Sequence, residues 1–187
     1  MKKRIAVFAS GNGSNFEAVA KACQKGRINA EVVICVCDHP GAYVCERARK
    51  LNISVLELRP KSFKTKADYE TAILNELKSL EVDFIVLAGY MRIIGQTLLE
   101  AYEGKIVNIH PSLLPAFPGV DAIGQALDYG VKIFGVTVHY VDNTLDGGKI
   151  ISQAAIPYDG DDREELETMI HAREHALYVS SLKSLLG

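Results

Sequence analysis

Strand-like and helix-like segments alternate through the first half of the chain, and this alternation limits the fold more than any other feature. Arg4 to Ala9 reads as a short apolar strand and Ser10-Gly-Asn-Gly-Ser-Asn15 as a turn. Phe16 to Lys25 reads as a helix, with Phe16, Val19, Ala20 and Cys23 at helical spacing, and Gly26 stops it. Val32 to Cys37, Ile53 to Leu58, Asp83 to Ala88 and Lys105 to His110 are further strands. Helices are predicted over Ala42 to Lys50 and Ala67 to Leu80, with a polar, basic loop at Arg59 to Lys66. Asp83-Phe-Ile-Val-Leu-Ala88 is almost wholly apolar, so it belongs inside a sheet covered on both faces. The pattern predicts an α/β, Rossmann-like fold with a doubly wound, mainly parallel sheet. Ligands of such sheets gather outside the carboxyl ends of the strands.

After residue 110 the character changes. His110 to Gly119 is a loop with three prolines and one glycine. Ala122 to Tyr129 reads as a short helix. Val136 to Val141 and Lys149 to Ile156 read as an antiparallel strand addition joined by Asp142-Asn-Thr-Leu-Asp-Gly-Gly148. Asp161 to Leu186 is a long C-terminal helix, started by Asp162 and Glu165, with Leu166, Met169, Ile170, Leu177 and Leu182 as its buried stripe. No repeat or linker interrupts the chain, so residues 1–187 are expected to form a single domain around one core.

Composition narrows the function classes. A chain of 187 residues, 48% hydrophobic and 24% charged, is an ordinary globular domain. Its 21 basic and 23 acidic residues give a net charge of −2, which argues against a dedicated nucleic-acid binder. The apolar run from Ile5 to Ala9 is too short for a signal-peptide core, and no stretch approaches the roughly 18–20 apolar residues of a membrane span. Cys23, Cys35, Cys37 and Cys45 form no C-x-x-C pair and read as reduced, mostly buried thiols of a cytoplasmic protein.

Three constellations can carry chemistry. The first is the 10–15 turn, whose two glycines allow close backbone approach and whose following helix start favours an anion. It fits the phosphate of a small substrate. A dinucleotide is the alternative, with Asp38 near the usual ribose acid, although Phe16 stands where the third glycine of G-x-G-x-x-G would be. An ordinary turn capped by Ser14 or Asn15 is the plain reading. The second is Asn108-Ile-His110, whose alternation points both polar side chains the same way at a strand's carboxyl end. Such a pair can donate to an oxyanion or serve only as satisfied core groups. The third is Leu145-Asp-Gly-Gly148, in which Asp146 either forms a turn or meets and orients His110. His171-Ala-Arg-Glu-His175 fits an inverted zinc-protease pattern but lacks an evident third ligand, and no serine sits in a nucleophile elbow. Neither a metal nor a serine triad is expected.

Taken together, Ala9-Ser-Gly-Asn-Gly-Ser-Asn15, Leu87-Ala-Gly-Tyr-Met-Arg-Ile-Ile94, Asn108-Ile-His-Pro-Ser-Leu-Leu-Pro115 and Leu145-Asp-Gly-Gly148 resemble the phosphoribosylglycinamide formyltransferase family, folate-dependent enzymes of purine synthesis. The likeness covers essentially the whole chain. It implies the formyltransferase type of fold, with a nucleotide-binding half over about 1–104 and a catalytic, folate-binding half over about 105–187. It implies glycinamide ribonucleotide and 10-formyltetrahydrofolate as small-molecule substrates and no metal, nucleic acid or membrane partner; a homodimer is compatible with it.

The resemblance also implies roles. Gly13, Ser14 and Asn15 would hold the substrate phosphate, and Glu174 would approach the substrate amine. Asn108, His110 and Asp146 would be catalytic. Lys66, Met91, Arg92, Ile93, Ile94, Asn108, Val141 and Asp146 would contact the folate, with Lys66 where the family usually has an arginine. Asp121 and Ile123 stand where some members carry histidines. The alternatives are a formyl-folate hydrolase, another formyl-folate transferase such as one acting on methionyl-tRNA, or a non-catalytic nucleotide-binding module. A hydrolase would usually carry an additional N-terminal domain and the tRNA enzyme an additional C-terminal one.

Overall fold

The computed structural model describes residues 2–187. Seven strands form one sheet in the order β3-β2-β1-β4-β5-β6-β7. They are β1 Lys3–Ala9, β2 Ala30–Cys37, β3 Ser54–Glu57, β4 Phe84–Leu87, β5 Ile106–His110, β6 Ile133–Tyr140 and β7 Ile150–Pro157. The first five run parallel, and β6 pairs antiparallel with both β5 and β7. The apolar segment at 84–87 becomes the middle strand, flanked by β1 and β5, as its composition requires.

Helices cover both faces. They are α1 Ser14–Gln24, α2 Tyr43–Lys50, α3 Lys66–Ser79, α4 Gln96–Ala101, α5 Ala122–Tyr129 and α6 Arg163–Leu186. One apolar cluster joins Val7, Val107 and Ile109 of the sheet to Phe16 and Val19 of α1, Val44 of α2, and Leu166, Ile170 and Leu182 of α6. The opposite cluster joins Phe8, Ile85 and Ile106 to Tyr69, Ile73 and Leu77 of α3 and Leu98 of α4. Alternation along β5 thus sends Val107 and Ile109 toward α1 and α6, and Ile106, Asn108 and His110 to the other face.

Several predicted boundaries move. Ser14 and Asn15 already belong to α1; Gly13 is the N-cap, in the left-handed region at φ 79° with no side-chain cap bond. The 59–66 loop contains a short 3-10 turn at Pro60–Ser62, and Lys66 opens α3 behind a Thr65/Asp68 capping box. Helix α4 was not expected. β6 begins three residues before the predicted Val136. Met169 is 39% exposed rather than part of the α6 stripe, and Leu177 is only partly buried. Asp162 does cap α6, accepting from the Glu164 and Glu165 amides.

All four cysteines are buried and free. Burial pushes Cys23 up to about 11 and Cys45 up to about 12, which keeps both thiols protonated and unreactive near neutral pH. Among the described residues no helix is long and apolar enough to cross a membrane.

Candidate functional site

A cleft of about 490 Å³ opens at the carboxyl ends of β1, β4 and β5. The 10–15 loop forms one wall, Gly89 and Met91 another, and His171 and Glu174 of α6 a third. The Gly13 conformation suits glycine, and a Cβ there would also overlap the Val44 side chain. The amides of Asn12 and Gly13 have no backbone acceptor among the described residues, and α1 begins immediately after them. Free amides at a helix start make a site for an anion.

Glu174 reaches this cleft because α6 is anchored one turn further on. The Tyr178 hydroxyl is fully buried and donates between the Leu87 carbonyl at 2.7 Å and the Val107 carbonyl at 3.2 Å. Residues four apart share a helix face, so Glu174 stands above the same strand ends. It is 5% exposed and accepts from Asn15 Nδ2 at 3.2 Å and His171 Nδ1 at 2.8 Å. That His171 hydrogen bond raises the imidazole's pKa above its ordinary 6.5. His175 Nε2 is buried with no hydrogen-bond partner among the described residues, and burial lowers the imidazole's pKa. No group of three possible metal ligands occurs among the described residues.

The second half supplies a different cluster. In the β5–β6 register Asn108 lies opposite His139 and His110 opposite Thr137. Asp146, on the loop between β6 and β7, comes within 3.6 Å of His110 Nδ1 and 3.9 Å of His139 Nε2. His110 Nε2 donates to the Phe117 carbonyl at 2.9 Å, and Asp146 Oδ2 accepts from the Gly119 amide at 2.8 Å. His139 Nδ1 donates to the Tyr140 carbonyl, so its Nε2 accepts from Asn108 Nδ2 at 3.3 Å. Burial lowers the pKa of His139 and keeps it neutral, which suits an acceptor. Asn108 is thereby oriented by His139, and His110 faces Asp146.

The loop over this cluster is tied down by buried polar groups. Thr137 Oγ1 donates to the Ser112 carbonyl and accepts from the Leu114 amide and Gln153 Nε2. Phe117, Asp121 and Asp146 all adopt positive φ, near 50°, which a non-glycine residue enters only at a cost.

Of the remaining predicted residues, Met91 lines the cleft and the others fall on the α3/α4 side of the sheet edge. Met91 and Ile93 are 77% and 69% exposed, whereas Ile94 is buried in the core. The Arg92 guanidinium lies 5.9 Å from the Tyr69 ring centroid. Lys66 packs its chain beside Gly95, next to this segment. Val141 is partly buried in the same cluster.

The structure therefore gathers Gly13, Ser14, Asn15, Met91 and Glu174 into one cleft, and Asn108, His110 and Asp146 into a second cluster on the other side of β5. Lys66, Arg92, Ile93 and Val141 lie further along that side. Asp38, the ribose acid of the dinucleotide alternative, is 2% exposed and does not line the cleft. His139 and the Phe117 carbonyl were missed. His139 had a signal, since alternation in Val136-Thr-Val-His139 pairs it with Thr137.

A family model described as "Formyl transferase" matches residues 3–182. The phosphoribosylglycinamide formyltransferase of Bacillus subtilis (strain 168) is 54% identical over 186 residues, 99% of this chain and 95% of that protein. The crystal structure of glycinamide ribonucleotide transformylase 1 from Geobacillus kaustophilus superimposes with a TM-score of 0.97 at 55% identity, covering 100% of both chains. That of phosphoribosylglycinamide formyltransferase from Bacillus halodurans gives 0.96 at 50% identity, over 99% of this chain and 96% of the other. This chain belongs to the formyl transferase family, in its phosphoribosylglycinamide formyltransferase group.

Proposed function

We propose that the protein transfers the formyl group of 10-formyltetrahydrofolate to the amine of glycinamide ribonucleotide, a step of purine synthesis. The observation that carries this reading is the meeting of Asn108, His110 and Asp146 beside a cleft with free loop amides and a buried carboxylate. Both substrates are small and soluble, and the reading places the enzyme in the cytoplasm.

Each group then has a task. The amides at Gly13, Ser14 and Asn15, with the Ser14 and Asn15 side chains, bind the ribonucleotide phosphate. Glu174 accepts a hydrogen bond from the substrate amine and aims it at the formyl carbon. On the other side of the sheet edge, Ile93 and the partly buried Val141 offer apolar surface to the pterin, Met91 reaches it from the cleft, and the buried Ile94 backs this segment from the core. Lys66 and Arg92 offer cations to the carboxylates of the folate tail. A lysine gives a point charge where a family arginine would give a fork.

Chemistry takes place where the two sides meet. The amine adds to the formyl carbon, and the carbonyl oxygen gathers charge. Asn108 Nδ2 and His110 Nε2 donate to that oxygen, which displaces the Phe117 carbonyl from His110. Losing one such donor costs about 3 kcal/mol of barrier. Asp146 orients His110 and receives the amine's proton through a water; the intermediate then collapses, the bond from the formyl carbon to folate N10 breaks, and the departing nitrogen takes up that proton. Holding two reactants side by side supplies much of the remaining rate. Amine attack of this kind needs no metal and no covalent enzyme intermediate.

Following formyl loss from 10-formyltetrahydrofolate with and without glycinamide ribonucleotide tests the reading. Loss only when the ribonucleotide is present is expected. Loss without it would make the protein a hydrolase, and none in either mixture would leave a nucleotide-binding module.

A further inference from the structure

Helix α2 touches the back of the 10–15 loop through three hydrogen bonds and one packing contact that the formyl-transfer reading does not use. The Val44 amide donates to the Gly11 carbonyl at 3.0 Å. Arg47 Nε donates to the Asn12 carbonyl at 2.8 Å, and its Nη2 donates to Asn12 Oδ1 at 2.9 Å. The Val44 side chain fills the space that a Cβ on Gly13 would need. Arg47 Nη1 pairs with Glu17 of α1, which also binds Lys21 at 2.7 Å. Those partners, the Lys21 hydrogen bond foremost, hold the Glu17 carboxyl below its ordinary range. The Arg47 side chain is 20% exposed; its bond to Glu17 is partly buried, and its two bonds to Asn12 lie at the exposed surface of the loop.

We propose that Arg47 is a positioning residue for phosphate binding, setting the direction of the loop's amide donors from behind; this rests on the phosphate reading of the loop. In a trans peptide the C=O and the following N–H point opposite ways. The Gly11 and Asn12 carbonyls are both drawn toward α2. The amides of Asn12 and Gly13 therefore turn away from α2 and toward the cleft that these residues line. Two adjacent amides held in this way form a concave anion seat. Without the fork the Asn12–Gly13 peptide can rotate, and the seat must be ordered each time a phosphate binds. A lysine cannot replace the fork, because one ammonium cannot match the fixed spacing of the Asn12 carbonyl, Asn12 Oδ1 and Glu17.

The test compares Arg47→Ala, Arg47→Lys and Ser14→Ala for formyl transfer and for inhibition by inorganic phosphate. For Arg47→Ala the ribonucleotide KM and the phosphate inhibition constant should each rise about tenfold, as expected from losing charge-assisted bonds. kcat should change less than about twofold, as for a loss of ground-state binding alone, and the folate KM should not move. Arg47→Lys should recover little of the loss. If Arg47→Ala melts near the assay temperature, Asn12→Ala, which removes one bond of the fork, should give a smaller shift in the same two constants. Unchanged phosphate inhibition in Arg47→Ala, with a clear rise in Ser14→Ala, overturns the role of Arg47 alone. No change in either variant overturns the phosphate reading itself. A fall in kcat with both KM values unchanged also contradicts the proposal, because it would place Arg47 in the chemistry instead.

Discussion

The 10–15 loop and the 108–121/137–148 cluster are built by opposite means. The loop lies within one strand–turn–helix unit, presents mostly backbone donors, and has positive φ only at Gly13. The cluster draws side chains from β5, β6 and two loops, and three of its residues or neighbours are non-glycines at positive φ. Such conformations cost about 1–3 kcal/mol each and persist only where surrounding contacts hold them. Binding is thus prepared locally and cheaply, whereas the groups assigned to chemistry depend on long-range register. Substitutions in the loop should act on affinity, and those in the cluster on turnover.

The largest break expected is in the cluster. Asp146→Ala and Asn108→Ala should each lower kcat by about a hundredfold to a thousandfold, the usual cost of losing an oxyanion donor or its orienting group. The ribonucleotide KM should change little, and steady-state kinetics on folded protein separates the two effects. Next in size is a pair of glycines beside Asp146. A Cβ on Gly148 would overlap the Tyr140 carbonyl, whereas one on Gly147 meets chiefly the Thr144 side chain. Gly148→Ala should cost about 1–3 kcal/mol in denaturant unfolding and lower kcat as the loop shifts. Gly147→Ala should cost clearly less in both measurements.

In the loop, Ser14→Ala should raise the ribonucleotide KM about tenfold with kcat nearly unchanged, the reverse of the cluster pattern. Equal losses of kcat from Ser14→Ala and Asp146→Ala would erase the distinction between the regions.

The smallest effect is on the pH dependence of stability, where His171, across the cleft from the loop, and His139, in the cluster, should differ in sign. The hydrogen bond to Glu174 raises the pKa of His171, and Glu167 adds a lesser attraction. Its stabilisation is fully present below the ordinary value of 6.5 and fades as pH rises through the raised folded value. Burial lowers the pKa of His139, so its contribution is present above 6.5 and lost as pH falls through the lowered folded value. The Tm gap between the wild type and His171→Ala should therefore be wider near about pH 5.5 than near about pH 8. His139→Gln should remove part of the wild type's loss of stability on the acid side. Parallel Tm profiles for the wild type and both variants would contradict these assignments.

Much of the fold is legible because parallel strand–helix units carry a strong periodic signal. The apolar 83–88 segment announces a middle strand, and β4 is that strand. Helix α4 is not legible, since six residues with only Leu98 buried make no stripe. Met169 fails because spacing alone cannot tell the edge of a buried face from its centre. At the site, Asn108 and His110 can be read from alternation, and their neighbour Asp146 from resemblance. The Phe117 carbonyl and the Arg47 fork cannot, because a backbone oxygen has no residue signature and a contact across 35 positions leaves no local pattern.

The most direct test of the central claim is formyl transfer by His110→Ala, measured at saturating concentrations of both substrates alongside inhibition by inorganic phosphate. kcat should fall by at least about a hundredfold while phosphate inhibition and the folded spectrum stay as in the wild type. Turnover within about twofold of the wild type would contradict that claim.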